Sequence, residues 1–333
     1  MSFDVVTFGS ATIDIFAETS DSDVTHLCVG DHCEDVLAYH AGDKVLLEGV
    51  HVDIGGGGTN TAACLNKLGL RVAYAGCLGE DDHGREILGW LEQEKISFVG
   101  ARSQLATNTS IILDSKKLAD RTILTYKGAS DDLRLEQLDV DSLTATWWYF
   151  PSMLRESYQT MLALMREANA RGVAVAFNPS SYQTQKGLEL LREPLTRSQL
   201  FVLNREEAQM LVGVAANRAE LCRRLRAAGG EIVLITEGSH GASLLYAETI
   251  YHVPSRARSV VETTGAGDCF ASSFLGGLAR GLSVVDALRL ACVNVESLIG
   301  RVGAKAGLLS FDELRSFVDD RPVVEEPALS GKE

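Results

Sequence analysis

The chain of 333 residues contains no long hydrophobic run. A membrane-spanning helix needs roughly 18–20 consecutive apolar residues, and no stretch of the sequence approaches that length. The amino-terminal segment MSFDVVTFGS also lacks a basic region followed by an apolar one, which is the pattern of a secretory signal. We therefore expect a globular protein of the cytoplasm, with no membrane partner.

Positive charge is scarce as well. The sequence has 31 Lys and Arg residues against 45 Asp and Glu, which gives a formal net charge of −14. Proteins that bind nucleic acids or anionic membranes do so through basic surfaces, so neither is expected as a partner. Small nucleotides are not excluded, because local helix amino termini and Mg²⁺ can hold a triphosphate.

Closely spaced cysteine pairs are missing too. The seven cysteines show no CxxC spacing, which is typical of reduced thiols in a reducing compartment. His26, Cys28, His32 and Cys33 in HLCVGDHC are metal-ligand types, but their spacing fits no common zinc pattern. We expect this segment to be a polar loop.

Short apolar runs dominate the rest of the chain and are typical of buried parallel strands. They are VVTFG (5–9), RVAYAGCLG (71–79), TWWYF (146–150), VAVAF (173–177), LFVLN (200–204) and IVLIT (232–236). Helical patterns lie between many of them, for example in 155–172 and 217–230, and both of these end in glycine. This alternation predicts an α/β fold with a doubly wound, mostly parallel sheet and helices on both faces.

Two pairs of segments instead alternate polar and apolar residues, as half-exposed antiparallel strands do. They are 11–20 with 44–54, and 109–115 with 121–128. We expect them to form a small second sheet that covers one edge of the main sheet as a lid. The predicted domains are a core of residues 1–12, 55–105 and 127–319, a β lid of residues 13–54 and 106–126, and a loose Pro- and Glu-rich tail of residues 320–333.

The segment VVETTGAGDCF (260–270) places small residues and one carboxylate ahead of an apolar helical pattern. Free N–H groups and the helix dipole favour an anion at such a helix entrance, and the side chains of 265–267 are too small to obstruct it. Asp268 is placed to take a proton from a hydroxyl that attacks a phosphoryl group. From this segment alone, Asp268 could equally be an ordinary helix cap.

A second glycine cluster occurs in DIGGGGTNTAACLNKLG (53–69). Four consecutive glycines are conformationally costly and are expected where the backbone approaches a ligand closely. Asn60 offers both a donor and an acceptor to hydroxyl groups. Neither cluster matches GxxxxGK[ST], and no GxGxxG follows the first strand, which excludes a P-loop enzyme and a dinucleotide fingerprint.

The segments ETTGAGD (262–268) and GGGGTN with LNKLG (55–69) resemble the two signatures of the ribokinase-like (PfkB) carbohydrate kinases. The resemblance extends from GSATIDI to about residue 319. It implies a ribokinase-like α/β core with a β lid, in which a sugar or nucleoside hydroxyl attacks the γ-phosphate of ATP bound with Mg²⁺. It also implies roles for individual residues: Asp268 is the base, the backbone of Gly265, Ala266 and Gly267 is the anion hole, and the substrate hydroxyls are held by Asp14, Gly56, Gly57 and Asn60.

The resemblance also assigns nucleotide and Mg²⁺ residues. NREE (204–207) is similar to the N-x-x-E element of the family, so Asn204 and Glu207 would organise phosphate and hydrated Mg²⁺, although the segment alone is only a polar helix start. ITEGSHGA (235–242) is similar to the strand, turn and strand at the nucleotide. The remaining ATP contacts implied are Asn178, Thr236, Gly238, Gly241 and, beside the adenine, Asn294.

One position departs from the family pattern. Glu262 stands where the family usually has aspartate, at a monovalent-cation site that also uses backbone near Thr264 and Gly303. The extra methylene of glutamate could alter or abolish K⁺ activation, so K⁺ is an open expectation.

The acceptor is a small sugar of furanose or keto-sugar type in our first interpretation. A simple ribose kinase is not expected, because PSML (151–154) offers only Ser152 where ribose kinases carry a carboxylate. Two alternatives stay open: a ribonucleoside kinase, with Ile15, Phe16, Tyr39 and Ile111 flooring a base pocket rather than packing the lid, and a non-catalytic sugar sensor with the same fold. The lid is also a candidate surface for a homodimer.

Overall fold

The computed structural model describes residues 2–19, 24–29, 32–115, 120–257, 259–318 and 321–328. Its strands are β1 (Phe3–Phe8), β2 (Thr12–Thr19), β3 (Val24–Val29), β4 (His32–Leu37), β5 (Gly49–Gly55), β6 (Val72–Ala75), β7 (Cys77–Gly79), β8 (Ser97–Phe98), β9 (Ala101–Ser103), β10 (Asn108–Ser115), β11 (Asp120–Tyr126), β12 (Ala145–Pro151), β13 (Ala174–Asn178), β14 (Leu200–Asn204), β15 (Ile232–Thr236), β16 (Ala242–Tyr246), β17 (Thr249–Val253) and β18 (Val324–Pro327). Its α-helices are α1 (Gly57–Lys67), α2 (Asp82–Gln93), α3 (Arg155–Arg171), α4 (Ser181–Thr184), α5 (Leu188–Arg197), α6 (Arg205–Val212), α7 (Arg218–Ala227), α8 (Ala266–Ala279), α9 (Val284–Leu298) and α10 (Phe311–Val318).

The main sheet has the strand order β18-β17-β16-β15-β14-β13-β12-β1-β6-β8. Seven adjacent strands of this sheet are mutually parallel: β15, β14, β13, β12, β1, β6 and β8. Strands β16, β17 and β18 continue the sheet beyond β15 with antiparallel pairing. The predicted α/β fold with a mostly parallel sheet is therefore confirmed. Among the described helices, none combines the length and the apolar character that crossing a membrane would take.

Strand β12 explains why the central strands are apolar without alternation. Trp148 and Phe150 pack in one core cluster with residues of α3 and α5, whereas Tyr149 packs in the opposite cluster with α1, α8 and α9. All three side chains are inaccessible to solvent. Helices cover both faces of the sheet, so each face of the strand must be apolar.

The order of the strands creates a crevice beside β1. The chain passes from β1 to β6 on one side and returns to β12 on the other. Ligands of open α/β sheets bind outside the carboxyl ends of strands at such a reversal. Gly9 follows β1, and a Cβ there would lie 2.4 Å from Cγ of Pro151 at the end of β12, so only glycine permits this close approach.

A second sheet has the strand order β11-β10-β2-β5. Its outer pairs, β10 with β11 and β2 with β5, are antiparallel, but its central pair, β2 with β10, is parallel. The two predicted strand pairs are therefore antiparallel as expected, and the parallel pairing between them is a feature that the sequence pattern did not predict. The pairing joins segments almost 100 residues apart in sequence, which local alternation cannot orient. The division of the chain into core and lid stays a prediction, and parts of the proposed lid, at 20–23, 30–31 and 116–119, lie outside the described residues.

Strands β3 and β4 form a separate antiparallel hairpin. Cys28 lies opposite Cys33, and the two form a disulfide. The polar-loop interpretation of this segment is therefore wrong, and reduced thiols are found only at the other five cysteines, all of them buried. The antiparallel register of β3 and β4 places the two cysteines opposite each other, which their spacing in sequence does not reveal. The side chain of His32 lies outside the described part of the chain.

Residues 324–327 correct the expectation of a loose tail. They form β18, which pairs with β17 at the edge of the main sheet. Arg321 is buried and forms a bidentate pair with Glu296 of α9. This ion pair and the backbone hydrogen bonds between β18 and β17 order a segment whose sequence shows no helical or strand periodicity. Residues 319–320 and 329–333 lie outside the described residues.

Candidate functional site

Helix α8 begins at the crevice with the predicted anion hole. Gly265 caps the helix with φ +74°, a left-handed conformation that favours glycine. A Cβ at this position would also lie 2.6 Å from Cβ of Ala304. A Cβ on Gly267, in contrast, would meet no atom of the described residues within 4 Å beyond its own helix backbone and chain neighbours. The first turn of α8, with Ala266 and Gly267, therefore presents open backbone to the crevice.

Asp268 lies in the first turn of α8 and lines the cavity at the carboxyl ends of the strands. Nδ2 of Asn60 donates a hydrogen bond to Oδ2 of Asp268 at 3.0 Å. Burial raises the pKa of Asp268, and the hydrogen bond and the charges of Lys305 and Lys127 oppose that rise. A carboxylate with a raised pKa in a cleft is suited to accept a proton.

The second glycine cluster brings backbone close to the same point. Gly56 caps α1 with φ +100°, and a Cβ there would lie 2.5 Å from the carbonyl oxygen of Ser10. A Cβ on Gly57 would be 3.5 Å from Oδ1 of Asp268. Asn60 is buried, and its Oδ1 is a polar atom without a hydrogen-bond partner among the described residues. The arrangement leaves that oxygen ready to accept a hydrogen bond from a hydroxyl.

Asp14 of β2 is buried on the lid side of the cluster. In the lid sheet it lies opposite Ser110 on one side and Asp53 on the other. Burial raises its pKa to about 6, with Asp53 adding to the rise and Ser110, Lys305 and Lys127 opposing it. A Cβ on Gly55 would lie 1.8 Å from Oδ2 of Asp14, so the glycine run is what gives this carboxylate its space.

The first cavity has a volume of about 300 Å³. Residues at the ends of five parallel strands line it, together with Gly57 and Asp268: Gly9, Ser152, Asn178, Asn204 and Thr236. These residues come from distant parts of the sequence and meet because parallel strands end at one edge of the sheet. The cavity is polar at the point where the predicted base lies.

A second cavity, also of about 300 Å³, lies on the other side of the α8 entrance. Gly238, Gly241, Phe270 and Val295 are among its lining residues. Gly241 has φ +98°, and a Cβ there would lie 2.0 Å from the carbonyl oxygen of Val253. The two cavities share Thr236 and Gly267, so one elongated ligand could extend through both past the anion hole.

Asn294 does not lie in this second cavity. It is fully buried, where its Nδ2 donates to Oγ of Ser273 at 2.8 Å and its Oδ1 accepts from the backbone of Leu309 at 2.9 Å. The prediction of an adenine contact at Asn294 is therefore wrong. On α9 the cavity is lined by Cys292, Val295 and Glu296, because Asn294 points to a different face of the helix.

Asn204 and Glu207 form a capping box at the start of α6. The side chain of Asn204 accepts from the backbone of Glu207 at 2.8 Å, and Oε2 of Glu207 accepts from the backbone of Asn204 at 3.0 Å. Both residues also line the first cavity. Burial raises the pKa of Glu207. The pair therefore has a structural role, and its carboxylate also faces the cavity.

Glu262, Thr264 and Gly303 meet beside the anion hole. Oε2 of Glu262 accepts from the backbone N–H of Gly303 at 2.7 Å. Oε1 of Glu262 and Oγ1 of Thr264 are buried and have no hydrogen-bond partner among the described residues. Two unpaired buried oxygens beside a backbone turn are the kind of donor set that a monovalent cation would satisfy.

Lys305 is a site residue that the sequence did not predict. Its Nζ donates to the carbonyl oxygen of Ile54 and lies 5.3 Å from the centre of the Trp90 ring. Burial lowers its pKa, and the charges of Asp53, Asp14 and Asp268 raise it. The ammonium group therefore lies among the carboxylates on both sides of the cleft.

Two further cations come from the lid side of the molecule. Lys127 follows β11 and lines the first cavity. Arg121 of β11 donates to Oγ1 of Thr263 at 3.1 Å, and Thr263 lines the second cavity. No motif in the sequence points to either residue. The only indication is for Lys127, because the glycine after it in TILTYKG marks the end of a strand, where a side chain can reach the cleft.

Comparison with known proteins shows which family this chain is similar to. The model of the pfkB family carbohydrate kinases matches residues 4–308. An uncharacterized sugar kinase of Archaeoglobus fulgidus is 30% identical over 248 residues, which is 73% of this chain and 97% of the relative.

Solved structures share the fold. Arabidopsis thaliana ribokinase complexed with ribose and ATP has a TM-score of 0.78 at 21% identity, covering 96% of this chain and 99% of the other. Burkholderia thailandensis nucleoside kinase in complex with inosine has a TM-score of 0.75 at 19% identity, covering 95% and 96%. Asp268 follows Gly267 at a helix entrance beside the cavity at the carboxyl ends of the strands, and the family model matches nearly the whole chain. The protein belongs to the pfkB family of carbohydrate kinases.

Proposed function

We propose that the protein transfers the γ-phosphate of MgATP to a hydroxyl of a small sugar of furanose or keto-sugar type, with Asp268 as the general base. The observation that carries this proposal is the position of Asp268. It lines the polar cavity one residue after Gly267, which lines both cavities. A base at that junction lies between an acceptor on one side and a nucleotide on the other.

The proposed step follows from the contacts of Asp268. Asn60 occupies Oδ2, which leaves Oδ1, on the Gly57 side, to accept the proton of the substrate hydroxyl. The hydroxyl oxygen then forms a bond to the γ-phosphorus as the bond to the β-phosphate oxygen breaks, and ADP leaves. The backbone N–H groups of Gly265, Ala266 and Gly267 stabilise the charge that spreads over the transferring phosphoryl oxygens.

Acceptor binding is proposed for the lid side of the cleft. Asp14 accepts hydrogen bonds from substrate hydroxyls, Asn60 offers its unpaired Oδ1, and the backbone at Gly56 and Gly57 leaves room for the ring. Lys305 offsets the negative charge of Asp14 and Asp268. The three carboxylates around it disfavour a strongly anionic acceptor and favour a neutral polyol.

Nucleotide binding is proposed for the second cavity, with Thr236, Gly238 and Gly241 near ATP and the apolar wall at Phe270 and Val295 beside the base. Asn178 lines the phosphate end in the first cavity. Asn204 and Glu207 would hold Mg²⁺ through water, since Mg²⁺ keeps several of its waters and binds few carboxylates directly. Bound there, Mg²⁺ would neutralise charge on the phosphates.

A monovalent cation is proposed at Glu262, Thr264 and Gly303. The two unpaired oxygens of Glu262 and Thr264 support it. The cation would be K⁺ in the first instance, and it would support the anion hole from behind because Gly265 packs on Ala304. We further propose a cytoplasmic location, no nucleic-acid or membrane partner, and the lid sheet as the surface of a homodimer.

The acceptor class is tested by a panel of neutral furanoses, keto-sugars, their phosphates and ribonucleosides, with ADP formation as the readout. We expect the highest kcat/KM for a neutral furanose or keto-sugar. A ribonucleoside with the highest value would replace our proposal by the nucleoside kinase. No ADP formation above background with any compound, in protein that binds ATP, would favour the non-catalytic sugar sensor.

Replacing Asp14 with alanine is expected to raise KM for the sugar at least tenfold. A hydrogen bond to a charged group contributes about 1.5–3 kcal/mol, and the variant loses it in both the ground state and the transition state. KM for ATP should hardly change. Asp43→Ala, an exposed aspartate between the hairpin and β5, is the matched control. An effect on KM for ATP alone would contradict the placement of the acceptor.

Replacing Lys305 with methionine is expected to make the enzyme more sensitive to acid. Loss of the ammonium charge raises the pKa of Asp268 and Asp14 further above their ordinary values, and the base must be ionised to work. Activity is lost as the pH falls through that pKa, so kcat/KM at pH 6 should fall about tenfold more than kcat/KM at pH 8. Lys305→Arg should restore the profile. An equal loss at both pH values would show that Lys305 only packs the loop.

A further inference from the structure

The hairpin of β3 and β4 carries four residues of metal-ligand type on one face. His26 pairs with Asp35 in the register, and Cys28 pairs with Cys33 two residues further on. Residues two apart on a strand point to the same face. The four side chains are therefore neighbours in a two-by-two arrangement.

Distances support a common binding point. One ligand atom from each of His26, Cys28 and Cys33 lies within 4.8 Å of the others, and all three residues are exposed. Nδ1 of His26 lies 2.9 Å from Oδ1 of Asp35. A carboxylate on one ring nitrogen orients a histidine and leaves its other nitrogen to bind a metal.

The disulfide alone does not account for this face. It explains why Cys28 and Cys33 lie opposite each other, but it makes no use of His26 or Asp35. Two thiolates and one imidazole are the ligands that Zn²⁺ prefers. The HxC and CxD spacing fits no common zinc motif because the site is formed across two strands.

We propose that the hairpin, with its disulfide reduced, binds one Zn²⁺ ion through His26, Cys28 and Cys33, with Asp35 positioning the histidine and water in the fourth position. Binding displaces one proton from each thiol as two Zn–S bonds form, and no electrons are transferred. Reduction beforehand adds two electrons, supplied by a phosphine reductant, and two protons, supplied by a water molecule whose oxygen becomes that of the phosphine oxide. Disulfide and metal are therefore alternative states of the same two cysteines.

The site is separate from the cleft, and this proposal does not rest on the proposed kinase function. The hairpin lies in the chain between β2, which carries Asp14, and β5, which carries Asp53. A metal would cross-link its two strands in a reducing compartment, where the disulfide is not maintained.

The test uses the full chain, reduced with phosphine and freed of metal, and titrated with Zn²⁺ or with Co²⁺ as a spectroscopic probe. We expect one ion per chain and, with Co²⁺, absorption bands of thiolate ligation. Cys28→Ser should weaken binding by more than about a hundredfold, and Asp35→Asn by about tenfold or more. His40→Ala, an exposed histidine outside the hairpin, should bind like the wild type.

Three outcomes would overturn the proposal: no stoichiometric binding by the reduced chain, equal binding by Cys28→Ser, or equal binding by the chain with the disulfide intact. Comparing the reduced chain with the disulfide-containing chain needs no substitution. The five buried cysteines are free thiols in both forms, so metal that binds equally to both forms would be bound outside the hairpin. The substituted side chains are exposed, so Tm should stay within a few degrees of the wild type and confirm that every variant is folded.

Discussion

Asp268→Asn is expected to lower kcat by about a hundredfold or more, because positioned general bases contribute about 10²–10⁴ to a rate. Asparagine keeps the shape of the side chain but cannot take the proton of the substrate hydroxyl. ATP binding, measured by calorimetry, should survive, since the anion hole is made of backbone groups.

The matched control is Asp286→Asn. Asp286 also lies in the first turn of a helix, α9, and it is bonded there to Ser283 and Arg289. Both variants remove a favourable charge from a helix amino terminus, which contributes about 0.3–1 kcal/mol to stability. Only Asp268→Asn should lose turnover. Near-normal kcat in Asp268→Asn would show that the residue is only part of a helix start.

Gly267→Val is expected to reduce kcat by a comparable factor of about 10²–10³, the loss seen when one oxyanion-hole donor is removed. Outside its own helix backbone and chain neighbours, the added Cβ meets no atom of the described part of the chain within 4 Å, so valine fits the fold. It is added at a residue that lines both cavities. Tm should change little, since valine is no worse than glycine inside a helix.

Gly89→Val is the control for that substitution. Gly89 lies within α2, and among the residues that the structure describes a Cβ there also meets no atom within 4 Å outside its own helix backbone and chain neighbours. Gly89 lines neither cavity. We expect normal kcat in Gly89→Val. A collapse of Tm in Gly267→Val, with normal kcat in the protein that remains folded, would assign the glycine to packing instead of catalysis.

Much of the fold could be read from the sequence, because buried strands and amphipathic helices have strong local patterns. LFVLN and IVLIT coincide with β14 and β15. Helix α3 ends at the glycine that its sequence pattern predicted as the end, Gly172, which has φ +70°. The parallel pairing of β2 with β10 could not be predicted from the sequence, because the direction of β10 depends on the path of the chain through the elements from β5 to β9 before it returns to this sheet.

Some residues of the candidate site could likewise be predicted from the sequence, and others could not. Gly265, Asp268 and Asn60 stand in glycine-rich segments whose composition itself indicates close approach. The sequence does not show which way the side chain of Asn294 points. A polar side chain on a helix can line a cavity, or it can be buried against another polar group, as Asn294 is against Ser273. Lys305 lies in a loop after the last long helix, and only the tertiary fold brings that loop beside β5.

The hairpin shows the limit of spacing arguments. Cys28 and Cys33 are separated by five positions, which fits no CxxC pattern, and the pairing of His26 with Asp35 follows only from the register of two strands. Register is a property of the folded hairpin, set by the turn and by side-chain packing.

The most direct test of the kinase proposal is the fate of the transferred phosphate. Phosphorus NMR of a reaction with the best acceptor of the panel should show ADP and one sugar phosphate ester in equal amounts, with formation of both lost in Asp268→Asn. ADP accompanied by inorganic phosphate in place of an ester, or ester formation at the wild-type rate in Asp268→Asn, would contradict the assignment of Asp268 as the base that activates an acceptor hydroxyl.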